Sequence, residues 1–205
     1  MRPTCFAKLP FRLGTTSYII PDDILPNVRW LADKVDDVEL VLFEAEDYSN
    51  LPSPALVAEL NAIAKDNGLT FTVHLPLDLK FTRGGDAADI SIEKALKVIR
   101  CTEKLNPFAY VAHLDSHQIG CDDETNHPEM VENCLNALER IAPSLPDRRL
   151  LAIENLESYD PERNDPVVHR FSASYCIDIG HLWLQGRDPL PYLQPRLKQT
   201  RVIHL

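Results

Sequence analysis

Short runs of apolar residues recur along the chain at 13–19 (LGTTSYI), 38–44 (VELVLFE), 70–75 (TFTVHL), 110–115 (YVAHLD), 150–156 (LLAIENL), 175–182 (YCIDIGHL) and 201–205 (RVIHL). Their lengths and their Val, Ile, Leu and aromatic content predict seven strands. Most are continuous rather than alternating, the pattern of strands covered on both faces, which implies parallel pairing. Between them lie stretches with helical periodicity. The clearest follows Ser53-Pro54, a capping residue and a proline suited to the first helical position. From there Leu56, Val57, Leu60, Ile63 and Ala64 share one face until Gly68. Further helices are predicted at 24–35, 91–105, 129–142, 164–171 and 188–199.

Strands alternating with helices imply βα units, and right-handed crossovers leave an open doubly wound sheet or a closed barrel. Neither G-x-G-x-x-G nor G-x-x-x-x-G-K-[ST] occurs, so the phosphate-cradling loop of a nucleotide-binding open sheet is missing. The expected fold is therefore α/β of the (β/α)8 TIM-barrel type, a parallel sheet with helices outside. Because the sequence stops inside strand seven and such barrels run to about 250 residues, we expect one domain over 1–205 that lacks the eighth βα unit.

Lys and Arg number 21 against 31 Asp and Glu, a net charge of −10, so the mean field repels phosphate backbones and anionic lipid. The expected partner is a small molecule, with neither nucleic acid nor membrane. A negatively charged substrate would need local compensation, which a bound divalent cation supplies. The five cysteines (Cys5, Cys101, Cys121, Cys134, Cys176) show no C-x-x-C pair and read as reduced packing thiols. With no apolar run at the start resembling a secretory signal, the expected location is cytoplasmic.

Metal-competent side chains stand near the C-terminal ends of the runs: His74, His113, Glu154, Asp178, His181 and His204. In a barrel these ends converge on the face that carries catalysis. Imidazole and carboxylate together form the ligand set of Zn, Mn and Fe. Asp178 and His181, spaced D-x-x-H, would lie on opposite faces of a strand. A bend at Ile179-Gly180 would bring both to the cavity. Six candidate ligands exceed the four of a structural zinc, which points to two or three ions. Closely spaced ions suit phosphoryl chemistry: they bind non-bridging oxygens, lower the pKa of a water and stabilise the leaving oxygen. Glu154 would bridge the ions or orient that water, as the catalytic residue. A single-ion alternative uses Glu154, Asp178 and His204 to polarise a sugar carbonyl, with His74 and His181 holding substrate.

Other residues carry weaker signals. Glu44 ends the second run at the expected active face. Asp78 and Asp115 could accept from ligating imidazoles or contact substrate, and Asn155 could donate to a substrate oxygen. Tyr18 and Trp183 read as aromatics covering the core, and the acidic stretch 122–124 as a solvated loop. His117, His127 and His169 read as solvent-facing.

The phrases TVHLP (His74), AHLDS (His113), AIEN (Glu154), DIGH (Asp178, His181) and VIHL (His204) resemble the xylose-isomerase-like barrels. That superfamily joins sugar isomerases and epimerases with endonuclease-IV-type nucleases. The resemblance implies a trinuclear zinc cluster at these positions in the nuclease branch. In the isomerase branch it implies one Mn, Mg or Co ion on Glu154, Asp178 and His204. More narrowly, the stretch LGTTSYIIPDDILPNVRWLADKVDDVELVLFE followed by TVHLPLDL is similar to cobamide-remodelling phosphodiesterases. It implies hydrolysis of the cobamide nucleotide-loop phosphodiester, with sugar or sugar phosphate isomerisation or epimerisation as the alternative. The nuclease-type cluster takes further ligands from beyond strand seven, a region past Leu205.

Overall fold

A computed structural model describes residues 9–115 and 127–205, the side chain of His127 excepted. Cys5, His117, Cys121 and the acidic stretch 122–124 lie outside the described residues. Seven parallel strands form one curled sheet in sequential order: β1 (Gly14–Thr16), β2 (Asp37–Val41), β3 (Thr70–His74), β4 (Tyr110–Ala112), β5 (Leu151–Glu154), β6 (Ser174–Asp178) and β7 (Thr200–His204). Between them run α1 (Ile24–Leu31), α2 (Pro54–Asn67), α3 (Asp86–Thr102), α4 (His127–Ile141), α5 (Asp165–Phe171), α6 (Ile179–Leu184) and α7 (Pro189–Arg196). The architecture is that of a TIM barrel left open between β1 and β7, each of which pairs on one side only among the described residues.

The second helix shows how local chemistry sets the boundaries. Ser53 Oγ accepts from the Leu56 amide at 3.2 Å, and Pro54 occupies the first turn, where its missing N–H costs nothing. Gly68 ends the helix at φ +65°, returning its own N–H to the Ala64 carbonyl. Val57 and Leu60 are buried against the outer face of the sheet, where full burial of each side chain contributes about 1.5–3 kcal/mol. No helix among the described residues is long and apolar enough to cross a membrane.

The strands divide their residues between two faces with the period of two expected of extended chain. Phe71 and Val73, Leu151 and Ile153, and Tyr175 and Ile177 join the large core under the helices. Val111, Ala152 and Cys176, with Val202 beside them, form a second, smaller cluster inside the curl. His74, Glu154, Asp178 and His204 sit further along their strands, on that inner face at its C-terminal end.

Two expectations about boundaries are corrected. The second run is a strand only to Val41, so Glu44 stands three residues beyond the sheet. The sixth is a strand only to Asp178, where α6 begins. The D-x-x-H geometry follows from that helix rather than from a glycine bend. Asp178 is its N-cap and accepts the His181 amide at 2.7 Å, which returns His181 toward the same end of the barrel. Gly180 does not use the left-handed region. A Cβ there would sit 3.1 Å from Asp178 Oδ1, a close approach that favours glycine.

Candidate metal centre

The other five candidate ligands gather around the carboxylate of Glu154. Glu154, 3% exposed at the end of β5, directs its two oxygens to different partners. Oε2 lies 3.1 Å from His74 Nε2 and 3.1 Å from His113 Nε2. Oε1 lies 2.9 Å from His204 Nδ1 and 3.9 Å from His181 Nε2. Asp178 Oδ2 completes the second group, 3.8 Å from both His204 Nδ1 and His181 Nε2. The donor atoms of His74, His113 and Glu154 lie within 4.8 Å of one another, and so do those of Glu154, Asp178 and His181.

This donor set fits a divalent ion. Burying a carboxylate and several imidazoles together is costly unless their charges are matched, by protons on the rings or by a cation in their place. Burial pushes the Glu154 pKa up, but the imidazoles of His113, His204 and His74 outweigh it and hold the group well below the usual carboxylate range. For His74, burial works against the charged ring, and the Glu154 carboxylate more than compensates, so its pKa is raised. His204 is likewise raised, against its own burial, by the Glu154 and Glu39 carboxylates on its two nitrogens. A buried carboxylate ringed by imidazole nitrogens marks a place that a metal ion can take.

Ring tautomers are set by the other nitrogen of each histidine. His74 Nδ1 lies 2.7 Å from the Leu75 carbonyl, an acceptor only, so its N–H is at Nδ1 and Nε2 faces Glu154. His181 Nδ1 lies 2.6 Å from Glu157 Oε2 without the alignment of a hydrogen bond, and its Nε2 faces the cluster. At 26% exposure, the His181 side chain is the most accessible imidazole of the group.

The remaining sequence candidates fall into other roles. Glu44 pairs with Lys97 on α3, and Asp78, 55% exposed, pairs with Lys94; the cluster engages neither. The Glu44 expectation assumed that the strand continues where the chain has already turned away. Asp115 is buried, accepts the Thr82 hydroxyl and stands 3.7 Å from Arg83 Nε. The Asn155 amide is engaged by the backbone of β6. Its Oδ1 accepts the Asp178 amide and its Nδ2 donates to the Asp178 carbonyl, both at 2.9 Å, clamping β6 to β5 at the site.

Trp183 is 64% exposed on α6, and Tyr18 is 45% exposed with its hydroxyl accepting from Asn50 Nδ2 at 2.7 Å, so neither is a core cover. His169 is exposed, as expected. Cys134 and Cys176 are buried free thiols and Cys101 is half-buried. Burial pushes the Cys176 thiol far up, which removes it as a nucleophile although its sulfur lies within 4.8 Å of donor atoms on Glu154 and His204.

One participant escaped sequence reading. Glu39, in the middle of β2 and 8% exposed, places Oε2 2.9 Å from His204 Nε2. The signal was the alternation in D-V-E-L-V, which sets Glu39 on the face opposite the core residues Val38 and Leu40.

The fold matches solved structures over nearly the whole chain. A D-tagatose 3-epimerase-like protein aligns with a TM-score of 0.74 at 18% identity, covering 95% of this chain and 74% of that one. Endonuclease IV from Thermus thermophilus aligns at 0.67 and 19% identity, covering 95% and 76%. D-psicose 3-epimerase from Clostridium cellulolyticum aligns at 0.69 and 14% identity, covering 93% and 71%. At these identities the likeness establishes the fold. No curated protein sequence matches the chain. The family model for xylose isomerase-like TIM barrels matches residues 30–205. The chain belongs to the xylose isomerase-like TIM barrel family.

Proposed function

We propose that the chain is a divalent-metal-dependent enzyme that isomerises or epimerises a sugar or sugar phosphate. The observation that carries this reading is the convergence of Glu154, Asp178, His181 and His204 at one end of the barrel, with Glu154 buried among them. The epimerases among the structural relatives support it better than they support hydrolysis, and no comparison bears on cobamides. Glu154, Asp178 and His204 would hold the ion, which supplies Lewis-acid polarisation of a carbonyl and the adjacent hydroxyl. His181 is the accessible imidazole, and its Nε2 can take or return a hydrogen-bonded proton on a substrate oxygen. Asn155 holds the Asp178 backbone, and His74 and His113 hold Glu154 so that Oε1 keeps its direction. Buried and strongly acidic, Glu154 acts as an anionic ligand and acceptor rather than a proton donor.

One feature favours a second reading, hydrolysis of a phosphodiester such as the cobamide nucleotide loop. His74 Nε2 and His113 Nε2 both face Glu154 Oε2, a set of nitrogen donors beyond what one ion on Oε1 requires. With two or three ions, Glu154 would bridge, and the ligand surplus would have a use. The two readings separate in paired assays on zinc-, manganese- and cobalt-reconstituted protein. Exchange of a sugar α-proton with solvent deuterium supports the first. Hydrolysis of a cobamide or an aryl phosphodiester without such exchange replaces it with the second.

A further inference from the structure

Among the described residues, Glu39 is a buried acid in contact with the cluster that neither reading uses. It lies on β2 and its partner His204 on β7, strands that are not neighbours in the sheet. The 2.9 Å contact between Glu39 Oε2 and His204 Nε2 therefore spans the barrel interior. The other nitrogen, Nδ1, stands 2.9 Å from Glu154 Oε1 and 3.8 Å from Asp178 Oδ2. A neutral imidazole carries one N–H; with an ion held by Glu154 and Asp178 the Nδ1 lone pair would go to that ion, and the N–H falls at Nε2, where Glu39 accepts it. His74 is locked the opposite way, with Nδ1 toward the Leu75 carbonyl and Nε2 toward the cluster.

A neutral acceptor suffices to fix a tautomer, as Leu75 shows. Glu39 supplies a buried carboxylate instead. Charge on the acceptor makes the ring a stronger donor at the opposite nitrogen and holds its plane against rotation.

We propose that Glu39 is a positioning residue for the metal centre: it holds the Nε2–H of His204 and so makes Nδ1 the ligating atom. The proposal rests on the reading that Glu154, Asp178 and His204 hold an ion. It does not depend on whether the reaction is isomerisation or hydrolysis.

The test compares wild type, Glu39→Gln and Glu39→Ala. Zinc and cobalt affinities are measured by competition with a chelating dye, the folding of the chelator-treated proteins is followed in urea, and zinc-loaded, 15N-histidine-labelled samples are examined by long-range 1H–15N correlation. The amide oxygen of Gln can still accept the N–H without the charge. We expect Glu39→Ala to bind about 10–100-fold more weakly, with the His204 Nδ1-metal signature lost or split. Glu39→Gln should recover the signature, which needs only an acceptor, with an affinity between those of Glu39→Ala and wild type. Wild-type affinity and signature in Glu39→Ala would overturn the proposal while leaving the metal site intact. Equal weakening in both variants, matched by equal loss of metal-free stability, would make Glu39 a structural residue and also overturn it. A folded wild type that binds neither metal would overturn the site reading, and the proposal with it.

Discussion

Replacement of Asn155 by Ala tests the link between the sheet and the site. The side chain is 1% exposed, and its amide makes two reciprocal bonds of 2.9 Å to the backbone N–H and C=O of Asp178. Truncation leaves both backbone groups of a β6 residue without these partners. A buried polar group that loses its partner costs roughly 1–3 kcal/mol. Asp178 is partly exposed, so water can reach its backbone once the amide is gone, which favours the lower half of the range for each group. The sum is about 2–4 kcal/mol. With a urea m-value of about 3 kcal/mol/M for a domain of this size, the midpoint should fall by roughly 1 M in chelator. The same change frees Asp178, which caps α6 through the His181 amide and faces His204, so zinc affinity should fall by about 10–100-fold. Equilibrium urea unfolding followed by far-UV circular dichroism reads the first effect, and dye competition reads the second. A midpoint within about 0.2 M of wild type, together with unchanged zinc affinity, would refute the clamp.

Three further outcomes follow. Glu154→Gln keeps the shape but removes the anion shared by His74, His113 and His204; turnover should be lost with the circular dichroism spectrum unchanged, and near-normal turnover would remove Glu154 from the site. In metal-free protein the carboxylate–imidazole interaction has a pH window. Glu154, lowered, stabilises above its unfolded pKa of about 4.3 and loses this as pH falls through the folded value, whereas His74, raised, stabilises below about 6.5 and loses this as pH rises through its folded value. Urea midpoints in chelator should therefore be highest between these limits and fall on both sides, and metal affinity should rise with pH as protons leave the rings. Finally, Arg196 on α7 donates through Nε to Asp165 Oδ1 at 2.9 Å, with the Tyr175 hydroxyl on the same oxygen at 2.8 Å. Its side chain is 13% exposed, so Asp165→Ala should cost about 2–3 kcal/mol, read as a lowered urea midpoint.

The barrel was legible because its physics is local. Apolar runs such as those around Val111 and Ile153, separated by helices with their own stops such as Gly68, leave few parallel topologies. The six clustered residues were legible because strand ends are where a barrel gathers polar groups. What failed was the end itself. Reading the second run to residue 44 put Glu44 in the site and passed over Glu39, since composition marks where a strand lies but not where its hydrogen bonding stops. The partners of Asp78 and Asn155, Lys94 on α3 and the Asp178 backbone on β6, were not legible, because they are set by packing between elements, which no local pattern encodes.

The most direct test of the account is the metal content of the chain after removal of adventitious ions and reconstitution with zinc, manganese or cobalt, measured by elemental analysis against protein concentration. The account predicts at least one tightly held ion per folded wild-type chain, retained through gel filtration and absent from Glu154→Gln. A cooperatively folded wild type that retains no ion would contradict it and leave the histidines around Glu154 as a buried charge network only.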